Sequence, residues 1–196
     1  MDEQALVAAA RRGDTQAFNK LILTYQTLAY NVAYRTLHDP EAAADATQQA
    51  FISAFRALPK FRGGSFKAWL LRIVTNACYD QLRRAKRRPA SSLDDMLVDP
   101  DHSALLTDET ESPEERAERQ DLGYAIQRGL DELPPDQRLT VVLSDIQGFS
   151  YQEIAEVTSV SLGTVKSRLS RGRARLRDYL QRQEELLPRR YRPIHR

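Results

Sequence analysis

The stretch SYQEIAEVTSVSLGTVKSRLSRGRARL, residues 150–176, decides how this chain is read. Ser150 and Glu153 have the S-x-x-E spacing of a capping box, which starts a short helix over 150–157. Thr158 to Ser161 forms a turn, and a second helix follows over 161–178. Two short helices joined by three or four residues have the spacing of a helix-turn-helix. Ile154, Ala155 and Val157 of the first can pack on Val165 and Leu169 of the second.

The second helix carries six cationic side chains between Lys166 and Arg177, although the whole chain is at only +2. At about 100° per residue, Leu162, Val165, Leu169, Leu176 and Leu180 share one stripe, the expected core side. Thr164, Ser167, Ser170 and Arg171 point the other way, with Arg168 and Arg175 beside them. Lys166, Arg173 and Arg177 form a basic strip on the remaining flank. Such a helix suits a major groove, with short polar groups and Arg at base edges and flanking cations on phosphates. A charge run alone would fit a solvated surface face. The capped helix before it, the turn length and the segregated wheel together favour DNA.

Charge is sorted along the rest of the chain too. Residues 1–88 are at +7, residues 89–121 at −9 and residues 122–196 at +4. The acidic middle, with Pro100 and Pro113 and little apolar periodicity, reads as a linker, extended or disordered on its own. The flanks read as helix. A short helix over 2–12 stops at Gly13, and Asp14 can cap the next. There Phe18, Leu21, Ile22, Tyr25, Leu28, Ala29 and Val32 keep the spacing of one buried face. His38-Asp39-Pro40 breaks it. A third helix over 41–58 points Ala46, Ala50, Phe51, Ala54, Phe55 and Leu58 inward and ends at Pro59. A fourth, over 66–87, offers Trp69, Leu70, Ile73, Val74, Ala77 and Leu82 to the core. After the linker come helices over 117–132 and 135–146. No alternation of strand period occurs, so the expected fold class is all-α.

A second cationic cluster, Arg83, Arg84, Lys86, Arg87 and Arg88, closes the fourth helix. It also suits the helix dipole, which is the plainer account. Beside it lie Phe61, Phe66, Trp69 and Tyr79. Aromatics next to Arg are what stacking of unpaired bases requires, and Gly63 and Gly64 allow a close backbone approach. The competing reading places Phe66 and Trp69 in an ordinary core.

Other classes are disfavoured. His38, His102 and His195 are scattered and Cys78 stands alone, so no zinc spacing exists and neither metal nor cofactor is expected. No phosphate-binding loop and no converging catalytic set appear, so no enzyme is expected. No run approaches the roughly 20 apolar residues of a membrane span, and the acidic start lacks signal-peptide character. A bacterial cytoplasmic location fits.

Three phrases carry a resemblance. DATQQAFISAFRALPKF (45–61), FRGGSFKAWLLRIVTNACYDQLRRAKRR (61–88) and LPPDQRLTVVLSDIQGFSYQEIAEVTSVSLGTVKSRLSRGRARL (133–176) resemble, in order, the segments of an extracytoplasmic-function (group 4) sigma factor of the sigma-70 family. The resemblance implies two small helical domains: a sigma-2-like bundle over 1–88 and a sigma-4-like helix-turn-helix domain over 120–182. An acidic flexible linker, 89–119, would join them, and a basic tail, 183–196, would follow. It implies promoter-specific transcription initiation, with core RNA polymerase (β′ clamp helices and β flap) and promoter DNA as partners and an anti-sigma factor as a further one. The linker would thread toward the polymerase cleft.

By position, Asp45, Gln48, Gln49 and Ile52 match the face that docks on core polymerase. Phe61, Arg62, Ser65, Asn76, Asp80, Arg83, Arg84 and Arg87 match the segment that melts and reads the −10 element. Thr164, Lys166, Ser167, Arg168, Arg171, Arg173 and Arg175 match the helix that reads the −35 element. Two residues depart from the pattern. Gln49 stands where an acid is usual, which shifts docking toward Asp45. Ser161 replaces a frequent proline, where it can serve as N-cap. The rival is a stand-alone helix-turn-helix regulator, binding its own site as a dimer without polymerase.

Overall fold

The computed structural model describes residues 2–87 and 112–183, and every regular element in them is helical. The expected linker is described only from residue 112, and residues 184–196 of the basic tail lie outside the described residues, as does Arg88.

Most of the helices begin where a side chain satisfies a free amide group of the first turn. Helix α1 spans Glu3–Arg11 and α2 spans Thr15–Leu37. The Asp14 carboxylate accepts from the Ala17 amide at 3.0 Å. His38, left-handed at φ 52°, closes α2. Asp39 then caps α3, Pro40–Ala57, accepting from the Ala42 amide at 2.9 Å. Pro40 sits in the first turn, where its missing N–H costs nothing. A 3-10 turn at Leu58–Lys60 leads through the Gly63-Gly64 loop to α4, Phe66–Arg87.

The first four helices form a bundle. Along α3, Ala43, Ala46, Ala50 and Ala54 are all buried, and the small side chains let α2 and α4 approach closely. Phe55 departs from expectation. It is 43% exposed, with its ring 5.0 Å from that of Phe18, because its wheel position falls beside Ile52 rather than beside Ala50 and Ala54.

The second unit starts earlier than expected. Helix α5 spans Pro113–Asp131, not 117–132. Pro113 was read as a helix breaker, but in the first helical turn it is favoured. Ser112 Oγ accepts from the Glu115 amide at 3.2 Å and the Glu115 carboxylate accepts from the Ser112 amide at 2.9 Å, a full capping box. Residues 113–119 therefore belong to a helix and not to the linker. Helix α6, Pro135–Val141, runs on into one π-helical turn, Val142–Ile146. Helices α7, Tyr151–Thr158, and α8, Leu162–Arg182, complete the described residues.

The two units share a core. Leu71, Val74 and Cys78 of α4 belong to one apolar cluster with Leu139, Val142, Ile154, Val157, Val165 and Leu169. Helix α4 packs on α7, and α2 packs on α6. Polar groups line the seam. Arg138 donates to the Thr36 carbonyl at 2.8 Å and to the Asp131 carbonyl at 2.7 Å. His38 Nδ1 lies 2.5 Å from the Asp131 carboxylate, and Arg35 donates to Gln127 at 3.3 Å. Lys67 Nζ sits 3.9 Å from the centre of the Phe149 ring, a cation–π contact across the seam.

Candidate nucleic-acid interface

Helix α8 is held at its start by the expected cap. Ser161 Oγ accepts from the Thr164 amide at 3.1 Å. The capping box of α7 is also present, with Glu153 accepting from the Ser150 amide at 2.8 Å, which holds the Glu153 carboxyl below its usual range. Ser159, left-handed at φ 55°, reverses the chain between the helices. Val165 and Leu169 are buried against Ile154 and Val157, as the spacing requires. Leu162 is not. It is 41% exposed, in the first turn of α8. Gly172 takes the place of a core side chain further along: a Cβ there would lie 2.8 Å from Val141 Cγ2.

The cations of α8 divide into two kinds. Arg168 is bound to Asp136 of α6 at 3.0 Å and is mostly covered. Arg173 forks onto Asp145 of the π-turn, with Nε at 2.9 Å and Nη2 at 2.5 Å, and reaches Ser144 at 3.3 Å. The fork holds the Asp145 carboxyl below its usual range and pushes the Arg173 guanidinium up. Lys166, Arg171, Arg175 and Arg177 are exposed. Arg171 leans back on its own helix, donating to the Ser167 carbonyl and hydroxyl at 3.2 Å each. Thr164 and Ser167 are half-buried and Ser170 is exposed beside them. A shallow groove on this side is lined by Tyr151, Lys166, Ser170, Arg173 and Arg177. Of the seven residues matched to −35 reading, two are thus committed to carboxylates within the protein. Sequence gave no signal for Asp136 and Asp145, which are local to neither arginine.

Helix α4 turns Asn76, Asp80, Arg83, Arg84 and Arg87 outward, joined by Arg72. Asp80 and Arg83 pair with each other. Arg62 and Ser65 are exposed on the loop before α4, and Gly63 and Gly64 hold φ values of 99° and 90°, open to glycine and strained for other residues. Phe61 is the correction here. It is 6% exposed, packed against Phe66 at 6.0 Å and Trp69 at 5.1 Å, so its ring is buried and anchors the loop. Phe66 is core and Trp69 is half-buried, the plainer of the two readings. The opposite stripe of α4 faces the second unit. There Tyr79 is pushed up by burial, and it lies near enough to Arg168 and Asp136 to feel both charges.

Asp45, Gln48 and Gln49 are exposed together on α3, and Ile52 is 40% exposed among them. Phe55 extends this face, which is therefore apolar at its centre and polar at its rim, the anatomy of a protein-binding patch. Sequence reasoning missed Phe55 because an aromatic residue near Phe51 was assigned to the core. Among the described residues no group of three metal-ligating side chains occurs and no helix is long and apolar enough to cross a membrane.

The chain matches known proteins over both units. The profile of sigma-70 region 2 matches residues 21–88, and that of sigma-70 region 4 matches residues 124–176. The chain is 39% identical to the ECF RNA polymerase sigma factor SigE of Mycolicibacterium smegmatis, over 84% of this chain and 62% of that one. It is 37% identical to the RNA polymerase sigma-H factor of Pseudomonas aeruginosa, over 91% of this chain and 94% of the other. Among solved structures, the sigma factor RpoE of Bartonella quintana, in complex with the anti-sigma factor NepR, superimposes with a TM-score of 0.63 at 26% identity, covering 83% of this chain and 96% of that one. Two region profiles in the right order, and a relative matched over nearly its full length, establish that the chain belongs to the extracytoplasmic-function sigma factors of the sigma-70 family.

Proposed function

We propose that this sigma factor docks on core RNA polymerase through α3, with Asp45, Gln48, Gln49, Ile52 and Phe55 against the β′ clamp helices. Its second unit meets the β flap. Helix α8 reads the −35 element as duplex through Thr164, Lys166, Ser167, Ser170 and Arg171. The loop around Arg62 and Ser65, with Asn76, Asp80, Arg83, Arg84 and Arg87 of α4, takes the melted −10 strand. The energy for melting comes from capture of unpaired bases and from polymerase contacts, and the chain catalyses no bond change itself. An anti-sigma factor is a further partner, and the bacterial cytoplasm is the place of action.

The observation that carries this reading is the coexistence of three outward faces on one chain: an apolar-centred face on α3 and cationic faces on α4 and α8. A stand-alone regulator would use the cationic face of α8 and, for its dimer, the face on α3, but it has no use for the second cationic face on α4. The test is run-off transcription with bacterial core RNA polymerase and sheared genomic DNA, mapping new 5′ ends. Discrete starts sharing two spaced upstream motifs are expected with the native chain. They should vanish with a Gln48→Arg/Ile52→Arg variant whose thermal melt is unchanged, since both side chains stand on the exposed face of α3. Binding to a single palindromic site without polymerase, and no dependent starts, would refute the proposal in favour of the regulator.

A further inference from the structure

Helix α1 is the part of the first unit that the function proposed above leaves unused. The region 2 profile begins at residue 21, so α1 and the turn into α2 lie outside it. A helix of nine residues is marginal on its own, so packing is what holds α1 in place. Leu6, Val7 and Ala10 are buried, and they share one apolar cluster with Leu58, Phe61, Phe66 and Leu70. Helix α1 also packs on the 3-10 turn Leu58–Lys60, from which the Gly63-Gly64 loop departs.

Rings hold that loop at both ends. At its start the Phe61 amide donates to the Leu58 carbonyl at 3.0 Å, and the Phe61 ring lies 5.1 Å from Trp69 and 6.0 Å from Phe66. At its end Ser65 Oγ accepts from the Ala68 amide at 3.1 Å, and Phe66 lies 5.5 Å from Trp69. These tilted and edge-on pairs have the geometry that aromatic rings favour. Tyr25 of α2 joins them, 5.7 Å from Phe66. Its hydroxyl donates to the Glu3 carboxylate of α1. Burial, and then Glu3, push the Tyr25 phenol above its usual range, so it stays a donor. A line of contacts thus runs from Glu3 through Tyr25 and Phe66 to both ends of the loop. Glu3 in a first helical turn also suits the helix dipole, but the dipole asks for no tyrosine from another helix.

We propose that α1 is a positioning element for the −10 loop: Glu3 holds Tyr25, Tyr25 holds Phe66, and the rings so fixed set the conformation of Arg62 to Ser65 in which the unpaired −10 strand is captured. The coupling of α1 to the loop concerns the free chain. Its effect on capture rests on the sigma reading.

Trp69, the one tryptophan of the sequence, lies beside both Phe61 and Phe66 and reports the loop directly. Acrylamide quenching of its fluorescence is measured on the full chain. The variants are Tyr25→Phe, which keeps the ring against Phe66, Glu3→Ala, the two combined, and Glu3→Gln, which keeps an acceptor. Each of the first two should raise the quenching rate about twofold by loosening the loop. The combined variant should add little to either, since both remove the same bond. Glu3→Gln should recover most of the loss. Unchanged quenching in Tyr25→Phe and Glu3→Ala, or a rise that only follows the unfolded fraction in urea, overturns the coupling.

Run-off transcription with core RNA polymerase, from a promoter mapped as above, then tests capture. One template is fully duplex and the other has its −10 element held open by mismatches. Tyr25→Phe should lower the yield from the duplex about fivefold, the worth of one net hydrogen bond. It should lower the yield from the opened template by about twofold or less, because a strand already open need not be captured to stay open. An equal loss on both templates, or no loss on either, overturns the effect on capture with the sigma reading intact. A native chain that gives no polymerase-dependent starts overturns the sigma reading and the effect on capture with it. The coupling is then decided by Trp69 alone.

Discussion

The two kinds of cation on α8 make a quantitative prediction about salt. A cation that neutralises a phosphate releases condensed counterions, and log K falls against log[salt] by about 0.9 for each phosphate neutralised. Lys166 is exposed and has no carboxylate partner among the described residues, so Lys166→Met should lower the slope by about 0.9. Arg173 is different. Its charge is already compensated by Asp145, in a two-bond fork of 2.5 and 2.9 Å. Arg173→Met should change the slope by much less, about 0.2 or below, although it removes the same formal charge. Asp145→Asn frees the guanidinium for phosphate. It should raise the slope by up to about 0.9 and tighten binding at low salt. The fork is partly exposed on both sides, so its stability contribution is only about 0.5–1 kcal/mol. The fork lowers the Asp145 pKa, so that contribution is fully present above the unfolded value of 3.8 and is lost as pH falls through the lower folded value. Binding at pH 7 therefore tests the fork intact. The assay is fluorescence anisotropy of the full chain on a labelled duplex from 50 to 300 mM salt, as differences from the native chain. If Arg173→Met lowers the slope as much as Lys166→Met does, Arg173 grips DNA and the separation of the two kinds is wrong.

Two further predictions concern how α8 is placed. Gly172→Ala adds a Cβ 2.8 Å from Val141 Cγ2, and 3.4 Å from Leu133 Cδ2, where α8 crosses α6. Helix propensity favours Ala by about 1 kcal/mol, but overpacking a buried crossing costs about 1–3 kcal/mol. A net loss near 1 kcal/mol is expected in urea unfolding, with weaker duplex binding, and a variant more stable than the native chain would show that the crossing relaxes freely. Ser150→Ala removes the hydroxyl that accepts from the Glu153 amide at 3.3 Å. It should cost about 1 kcal/mol in the same measurement, while Ser150→Asp, which keeps an acceptor at the cap, should recover most of the loss.

What was legible in the sequence follows from the range of the forces involved. Helix α4 begins and ends where the pattern placed it, because Pro59, the Gly63-Gly64 loop and a long apolar period are local signals. The α7 capping box and the Ser161 cap were local for the same reason. Pro113 was misread by treating proline as a breaker, when Ser112 before it and Glu115 after it spell a helix start. Pro40 and Pro135, both in first turns, show that the rule was available. Phe55 and Phe61 exchanged places: the one expected inside is half outside and the one expected at a base is inside. Residue type suggested the first error, and the wheel position of Phe55 beside Ile52 could have corrected it. The second was beyond local reasoning, since Phe61 is held by Phe66 and Trp69 through the turn of the loop. The shared core of the two units was equally out of reach. The face of α4 that carries Leu71, Val74 and Cys78 is apolar in sequence, but nothing local says that α7 covers it.

Asp136 and Asp145 beside a helix that must attract an anion look at first like a fault, since each cancels a cation that could bind phosphate. Arginine resolves the difficulty. Its planar fork binds a carboxylate directionally, which a lysine does not. Arg173 can therefore fix the rotation of α8 against the π-turn, while Arg168 fixes its tilt against α6. On the function proposed above, the bases would then be met by Thr164, Ser167 and Ser170, short side chains whose reach is only as accurate as the helix that carries them. A recognition helix that spent all six cations on phosphates would bind DNA more tightly and read it less well, because a few degrees of rotation would move the hydroxyls off the base edges. The paired acids give up nonspecific affinity in exchange for register. Freeing Arg173 by Asp145→Asn should accordingly tighten binding to all duplexes while narrowing the difference between the right sequence and the wrong one.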